Sequence, residues 1–156
     1  MGLQQNLQDE PVRKLSLRVP ATAIAETTVR DAIMRMRERK LGCTVVVDDN
    51  DKPIGIFTES ALTQLMIDPG PQVVDEPIAE HMSQYAWVKL TDPITYVLEA
   101  MQLKNVRFLC VLDEDGRLAG LTGQKSLIEF VADHFPSQVM VQRIGGEPYT
   151  TKREGA

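Results

Sequence analysis

Two strand-to-helix junctions of this chain carry residue types that could bind an anion. At the first junction, Thr58 follows an apolar strand pattern and precedes an amphipathic helix pattern. A helix that begins there offers free N–H groups and the positive end of its dipole, and the Thr hydroxyl adds a polar group. At the second junction, Lys125 lies close to the expected helix start and could contact a phosphate. The chemistry predicted for these junctions is anion binding.

The same residues also have a structural interpretation. Thr is one of the residue types that cap helices, so Thr58 could serve only as an N-cap. Arg107 and Lys125 fit equally well as solvated surface residues. We find no nucleophile beside a base, no phosphate-binding glycine loop and no carboxylate pair with a reason to differ in pKa. We therefore predict no catalytic residues.

A metal site is not predicted either. His81 and His134 are far apart in sequence, and we find no Cys or carboxylate at ligand spacing from either of them. The turn acids Asp48, Asp49 and Asp51 lack the glycine and distal glutamate of a calcium loop. Solvent is the partner expected for these three side chains.

The elements that position the junctions occur twice. Residues 45–62 are echoed by residues 111–127, and the constant shift between them superposes Gly55 on Gly120. Each copy has an apolar run, an acidic turn, a second apolar run and the start of an amphipathic helix, which is the pattern of a strand hairpin leading into a helix. Upstream, residues 9–12 match 75–78 at a slightly longer shift, so the first copy has one extra residue before its first helix. The chain is therefore a duplication.

The first copy is predicted to contain a short strand within residues 18–26, a helix capped by Thr27 and ended by Gly42, strands at 43–47 and 53–57, and a helix capped by Thr58. The second is predicted to contain a short strand at 87–90, a helix with Asp92 at the cap, strands at 106–112 and 117–121, and a helix at 124–135. We divide the chain into an N-terminal segment (1–8), two domains (9–70 and 71–135) and a C-terminal tail (136–156). The tail is expected to be a short docked strand followed by disorder.

Length and composition limit the class of protein. A chain of 156 residues makes one ordinary domain or two small ones, and two copies this small should share a core. A hydrophobic fraction of 43% with 25% charged residues is typical of a soluble globular protein. We expect a cytoplasmic location, because no apolar run approaches the roughly 20 residues of a membrane span and no targeting motif is recognised. The net charge of −5 argues against nucleic acid as a partner. Cys43 and Cys110 are expected to be buried free thiols.

The duplicated pattern resembles a tandem pair of CBS domains, the arrangement called a Bateman module. The resemblance rests on a valine-rich strand ending in Asp, a turn, and a glycine-to-Thr stretch that opens a helix, and it covers roughly residues 9–135. It implies an α/β (α+β) fold of two β-α-β-β-α repeats packed about a pseudo-twofold axis. It also implies a non-catalytic module that often forms a homodimer, which the apolar helix face at residues 61–66 favours as well.

The resemblance places ligands in two clefts between the repeats. The first cleft would be formed by Thr58, Thr91, Val106 and Arg107. The second and weaker cleft would be formed by Gly123, Lys125, Ser126, Leu41 and Gly42, with Glu26 opposing a phosphate. The ribose-binding Asp of the family is replaced by Ala61 in the first copy and Ser126 in the second, and Gly123 replaces its Thr. A charge-assisted hydrogen bond is worth about 1.5–3 kcal/mol, so we expect weakened binding.

Two functions remain open at this point. The favoured one is a regulatory or sensor module that requires no cofactor, binds AMP, ADP, ATP or S-adenosylmethionine at the Thr58 cleft, and acts on an unidentified regulated protein. The alternative is a ligand-free dimerisation or interaction scaffold that docks on a partner protein. The absence of both ribose carboxylates favours this alternative.

Overall fold

The computed structural model describes residues 2–134, and the predicted C-terminal tail lies outside these residues. The described part contains two three-stranded sheets and five α-helices, in the order α1 (Leu3–Asp9), β1 (Ala21–Ala23), α2 (Val29–Arg39), β2 (Cys43–Val47), β3 (Pro53–Thr58), α3 (Glu59–Ile67), β4 (Ala86–Lys89), α4 (Ile94–Lys104), β5 (Phe108–Leu112), β6 (Leu118–Gly123) and α5 (Gln124–His134). Short 3-10 turns lie at Val12–Lys14, Pro71–Asp75 and Ile78–Glu80. The predicted fold of two β-α-β-β-α repeats is confirmed.

The two sheets repeat one another at the spacing seen in the sequence. In each sheet the first strand is parallel to the second and the second antiparallel to the third, in the orders β1-β2-β3 and β4-β5-β6. The pair Cys43–Thr58 recurs at the shift of the duplication as Phe108–Gly123. The register shift after Val46 likewise recurs after Val111. The duplication is therefore preserved down to single residue pairs.

The first hairpin turn corrects the prediction of a solvent partner for one of its three acids, Asp48. Asp48 Oδ1 accepts hydrogen bonds from the backbone N–H groups of Asn50 (2.8 Å) and Lys52 (2.9 Å). Asp113 accepts the corresponding pair in the second turn. These bonds stabilise the ionised carboxylate, and they lower the pKa of Asp48 below its ordinary value. The first acid of each turn therefore closes the turn.

Three predicted helix ends differ in the structure. Thr28 rather than Thr27 caps α2, because the Thr28 hydroxyl accepts from Asp31 N while the Thr27 hydroxyl accepts from Ile24 N. The helix ends before Gly42, since Lys40 already adopts a left-handed conformation (φ 53°). Asp92 does not cap α4, because its carboxylate accepts instead from Lys89 N at 2.7 Å. At the two N-terminal ends, neighbouring polar groups take the hydrogen bonds that the predicted caps would have made.

Each repeat completes its core with the segment that precedes the other repeat. Leu7, Val12 and Leu15 pack in the core of the second repeat, whereas Ile78 packs in the core of the first. The backbone follows the same exchange. Val12 N donates to Asp92 O at 2.8 Å, and in the symmetric place Ile78 N donates to Thr27 O at 2.7 Å. The domain bounds predicted at residue 70 therefore do not coincide with the packing, and they stay a prediction.

A third core joins the two sheets face to face. Its buried members from the first repeat are Cys43, Val45, Val47 and Ile56, and those from the second are Cys110, Leu112 and Leu121. Both cysteines are free and buried, as predicted. Burial raises the pKa of each thiol to about 12, because the apolar surroundings disfavour the thiolate. This shared core is what holds the repeats about the pseudo-twofold axis.

Candidate functional site

Two adjacent cavities lie between the repeats, each beside the N-terminus of one helix. The first, here called the Thr58 cavity, has a volume of about 370 Å³ and is lined by Gly42, Ile56, Thr58, Glu59, Ser60, Asn105, Val106, Arg107 and Phe108. The second, the Lys125 cavity, has a volume of about 270 Å³ and is lined by Arg18, Gly42, Glu59, Met101, Arg107, Phe108, Leu121, Thr122, Gly123, Gln124, Lys125 and Ser126. Several lining residues are common to both cavities.

Most of the predicted cleft residues line these cavities, but three, Thr91, Leu41 and the exposed Glu26, do not. Thr91 is exposed and lines neither cavity, because the chain after β4 turns back through the bond from Lys89 N to the Asp92 carboxylate. Leu41 is 5% exposed and faces a neighbouring groove with Met36 instead. Thr58, Val106 and Arg107 do line the first cavity, and Gly42, Gly123, Lys125 and Ser126 line the second.

Thr58 has a structural bond of its own. Its hydroxyl oxygen accepts from Ala61 N at 3.2 Å and so caps α3, as one interpretation of the sequence expected. The backbone N–H of Glu59 donates to Gly42 O at 3.0 Å. Two N–H groups at this helix start are therefore already used. Glu59 places a negative charge in the first turn, which opposes an anion at this helix end.

The Lys125 cavity is the more positive of the two. It is lined by Arg18, Arg107 and Lys125 against one carboxylate, Glu59. Lys125 Nζ lies 3.8 Å from Glu129 Oε1, but both side chains are largely exposed, and such i, i+4 pairs contribute only about 0.3–0.5 kcal/mol. The Thr58 cavity has Arg107 as its cation and Glu59 as its acid. The electrostatics therefore favour an anion in the Lys125 cavity.

Two buried hydroxyls in the Lys125 cavity behave differently. The Ser126 hydroxyl donates to the Ser16 carbonyl oxygen at 2.9 Å, so it ties α5 to the stretch before β1. Thr122 is 2% exposed, and its hydroxyl has no hydrogen-bond partner within residues 2–134. A buried polar group left without a partner costs about 1–3 kcal/mol.

Sequence reasoning missed Arg18 and Glu59 as cavity residues. Glu59 directly follows Thr58, so its place at the helix start could be read from the sequence. The sequence does not give the direction of its side chain, which brings Glu59 to both cavities. Arg18 reaches the Lys125 cavity because its backbone exchanges hydrogen bonds of 2.9 and 3.0 Å with Leu121. That pairing joins positions far apart in the chain, and no local pattern signals it.

The expectation that no carboxylate stands at ligand spacing from His81 is corrected. His81 Nε2 lies 2.6 Å from Glu76 Oε2, and Glu80 brings a second carboxylate within 4.8 Å of both groups. The 3-10 turn before His81 makes this contact, which sequence spacing did not reveal. The short distance is that of a hydrogen bond between imidazole and carboxylate.

One further finding concerns membranes. Across residues 2–134, every helix is too short or too polar to cross a bilayer.

Comparisons with known proteins agree with the fold. A model of the CBS domain matches residues 12–68 and 78–133. An uncharacterized protein of Methanopyrus kandleri is 32% identical over 107 residues, which cover 67% of this chain and 53% of the relative. Inosine-5′-monophosphate dehydrogenase of Aquifex aeolicus is 26% identical over 112 residues, which cover 70% of this chain and 22% of the enzyme. The chain thus spans about half the length of the first of these relatives and a smaller part of the second.

Solved structures show the same architecture. A CBS domain protein from Pyrobaculum aerophilum complexed with AMP superposes with a TM-score of 0.68 and 20% identity, covering 79% of this chain and 99% of that one. The CBS domain pair of protein MJ0100, in complex with 5′-methylthioadenosine and S-adenosyl-L-methionine, superposes with a TM-score of 0.70 and 17% identity. The match covers 80% of this chain and 98% of that one. At these identities the likeness concerns the fold alone. With two CBS matches that span most of its length, this chain belongs to the CBS domain family as a tandem pair.

Proposed function

We propose that this CBS pair is a non-catalytic regulatory module that binds an adenine nucleotide in the Lys125 cavity. The observation that carries the proposal is the convergence of Arg18, Arg107 and Lys125 on one cavity beside the N-terminus of α5. Cations and a helix N-terminus together recognise phosphate. Structural neighbours in complex with AMP and with S-adenosyl-L-methionine make an adenosine-containing ligand the natural class.

The charges of the cavity favour a nucleotide phosphate over S-adenosylmethionine. Three cations face a single carboxylate there, so the cavity attracts a negatively charged ligand and repels the sulfonium cation of S-adenosylmethionine. The Thr58 cavity, by contrast, pairs one cation with one acid. This reverses the order of the two clefts expected from the sequence, where the Thr58 cleft was preferred.

A nucleotide in the Lys125 cavity would contact three separate parts of the chain. Arg18 comes from the stretch just before β1, Glu59 from the start of α3, and Lys125 from the start of α5. Binding would therefore hold the repeats in one arrangement. We propose that this arrangement is the signal passed to a regulated partner protein, since a ligand acts on a partner only through a difference between two states.

The test is a thermal-shift measurement with AMP, ADP, ATP and S-adenosylmethionine at millimolar concentration. A ligand that binds only the folded chain adds about 2.7 kcal/mol of stability at a hundredfold excess over its Kd. We expect a larger shift for ATP than for AMP, little shift for S-adenosylmethionine, and loss of the ATP shift in Lys125→Ala. A shift that S-adenosylmethionine produces and Lys125→Ala leaves unchanged would contradict the proposal.

The second candidate is a ligand-free scaffold that dimerises and docks on a partner. Ala61 and Ser126 hold the positions where the family carries a ribose-binding Asp, and the Ser126 hydroxyl is already bonded to Ser16. Under this proposal none of the four compounds in the thermal-shift series stabilises the protein, and none of them changes its oligomeric state.

The apolar face at residues 61–66, which was expected to favour the homodimer, packs partly against the core of the first repeat. We therefore propose the homodimer on an apolar groove between β4 and α4. The groove has a volume of about 450 Å³ and includes Trp87 (50% exposed), Tyr96 and Leu103 (84% exposed). Exposed apolar side chains of this size commonly mark an interface, and a second copy would cover them. Light scattering should give the mass of a dimer for the wild type and of a monomer for Leu103→Glu. A wild-type monomer at high concentration would exclude the dimer.

A further inference from the structure

Glu59 is the only carboxylate that lines either cavity between the repeats in the part of the chain that the structure describes. It is common to both cavities, together with Gly42, Arg107 and Phe108. A ligand in the Lys125 cavity and a ligand in the Thr58 cavity would therefore face the same acidic side chain. Whatever a carboxylate contributes to ligand recognition here must come from Glu59.

The carboxylate of the exposed Glu59 lies beside the backbone of Gly42. A Cβ added to Gly42 would lie 3.1 Å from Glu59 Oε2 and 3.1 Å from Phe108 Cζ, so the missing side chain leaves room for both groups. The bond from Glu59 N to Gly42 O, 3.0 Å long, fixes the backbone at the same point. Within residues 2–134 no group hydrogen-bonds or ion-pairs with the Glu59 carboxylate. Its lone pairs are available to a ligand.

We propose that Glu59 recognises the ribose of the bound nucleotide by accepting hydrogen bonds from its 2′- and 3′-hydroxyls. This inference rests on the proposed function, because it presumes a nucleotide between the repeats. A carboxylate is an acceptor with two oxygens, which suits two adjacent hydroxyl donors. The two positions that could otherwise carry such a group cannot replace it. Ala61 has only a methyl group, and Ser126 is bonded to Ser16.

Glu59 acts on the two ends of a nucleotide with opposite sign. Its charge repels the phosphate, which Arg18, Arg107 and Lys125 attract, but it attracts the hydroxyl donors of the ribose. Neutralising Glu59 should therefore strengthen the binding of a bare phosphate anion and weaken the preference for ribose. A residue with a purely structural role would change both affinities in the same direction.

The experiment compares three proteins by isothermal titration calorimetry. Wild type, Glu59→Gln and the control Glu114→Gln, which neutralises an exposed acid of the second hairpin turn, are each titrated with AMP, 2′-deoxy-AMP and pyrophosphate. Wild type and control should bind AMP about tenfold or more tightly than 2′-deoxy-AMP, as expected for one lost charge-assisted hydrogen bond. In Glu59→Gln that ratio should fall towards one, while pyrophosphate binds more tightly than to wild type.

The outcomes separate this inference from the function on which it rests. AMP that binds wild type with a ribose preference unchanged in Glu59→Gln overturns the role of Glu59 and leaves the nucleotide site standing. AMP that binds none of the three proteins overturns the proposed function, and the role of Glu59 with it. Glu59→Ala, titrated in parallel, removes the amide oxygen of Gln as a substitute acceptor and should abolish the preference completely.

Discussion

Gly123 lies directly against the backbone carbonyl oxygen of Arg107, so closely that an added Cβ would collide with it. At the shift of the duplication, the equivalent pair in the first repeat is Thr58 and Gly42. The glycine therefore stands at opposite members of this pair in the two repeats, before β2 in the first and at the end of β6 in the second. The first keeps a helix-capping hydroxyl, whereas the second keeps an arginine that lines both cavities.

Substituting Gly123 by Thr should destabilise the protein by about 1–3 kcal/mol. The new side chain would force β5 and β6 apart at Arg107, and overpacking of this kind costs that much. Urea unfolding of the two proteins measures the difference. Gly2→Ala is the matched control, because a Cβ at Gly2 meets nothing within 4 Å and should leave stability unchanged. Equal stability of Gly123→Thr and wild type would show that the strands can separate freely.

Substituting Thr58 by Ala should lower stability by about 0.5–2 kcal/mol and leave nucleotide affinity nearly unchanged. The substitution removes the cap on Ala61 N, whereas the phosphate cations line the other cavity. Thermal unfolding and calorimetry on one preparation give both quantities. Thr63→Ala provides a control, since its hydroxyl contacts only the Glu59 carbonyl within an exposed helix face. A Thr58→Ala variant with normal stability but no AMP binding would show that the nucleotide binds in the Thr58 cavity instead.

Arg18→Ala should weaken nucleotide binding, and it should also flatten the dependence of affinity on salt. Arg18 lines the Lys125 cavity but not the Thr58 cavity, so the two sites make different predictions for this residue. A phosphate contact is worth about 1.5–3 kcal/mol, or roughly a 10- to 100-fold loss of affinity. Titrations at two salt concentrations check it, with Arg13→Ala on the exposed surface as control. Unchanged affinity in Arg18→Ala would exclude the Lys125 cavity.

The two buried thiols should make the protein less stable as pH rises above about 9. Burial raises the pKa of both thiols from 9.0 to about 12, so the folded chain keeps protons that the unfolded chain releases between those values. The unfolded state then binds fewer protons, and the free energy of unfolding falls with pH. Urea unfolding at pH 8 and pH 10 measures the effect. A Cys43→Ala/Cys110→Ala variant should lose less stability over that interval.

Thiol labelling gives an independent check on the same cysteines. Cys43 and Cys110 are 1% and 0% exposed, so a thiol reagent at pH 8 should modify them only after denaturant is added. Rapid labelling of the native protein would show that the core between the two sheets opens.

The repeat could be predicted from the sequence because its spacing is local and occurs twice. The shift that superposes Gly55 on Gly120 predicted that the strand hairpin occurs twice, and the structure repeats the pair Cys43–Thr58 as Phe108–Gly123 at that shift. The position of the extra residue in the first copy can also be located in the structure. Arg18 matches Ser83 at the hairpin shift, whereas Val12 matches Ile78 at the longer one, so the extra residue lies between Val12 and Arg18.

Helix ends were less predictable because neighbouring polar groups compete for the same backbone donors. Thr27 and Thr28 can each cap a helix, and the choice depended on the bond from Ile24 N to the Thr27 hydroxyl. The Asp92 carboxylate accepts a hydrogen bond from Lys89 N and does not cap the helix that follows it. Differences of about 1 kcal/mol decide such positions, and no sequence pattern resolves them.

The sequence by itself determined the duplicated hairpins, the apolar strands, the buried free thiols and the CBS resemblance, since each depends on periodicity, turn chemistry and burial within a short stretch. Only the tertiary structure decided which groups face the cavities. The pairing of Arg18 with Leu121 and the bond from Ser126 to Ser16 join segments near opposite ends of the described chain. The first contact brings one of the three cations to the Lys125 cavity, and the second engages a predicted ligand residue. Side-chain direction at a contact between distant strands depends on packing that no local pattern encodes.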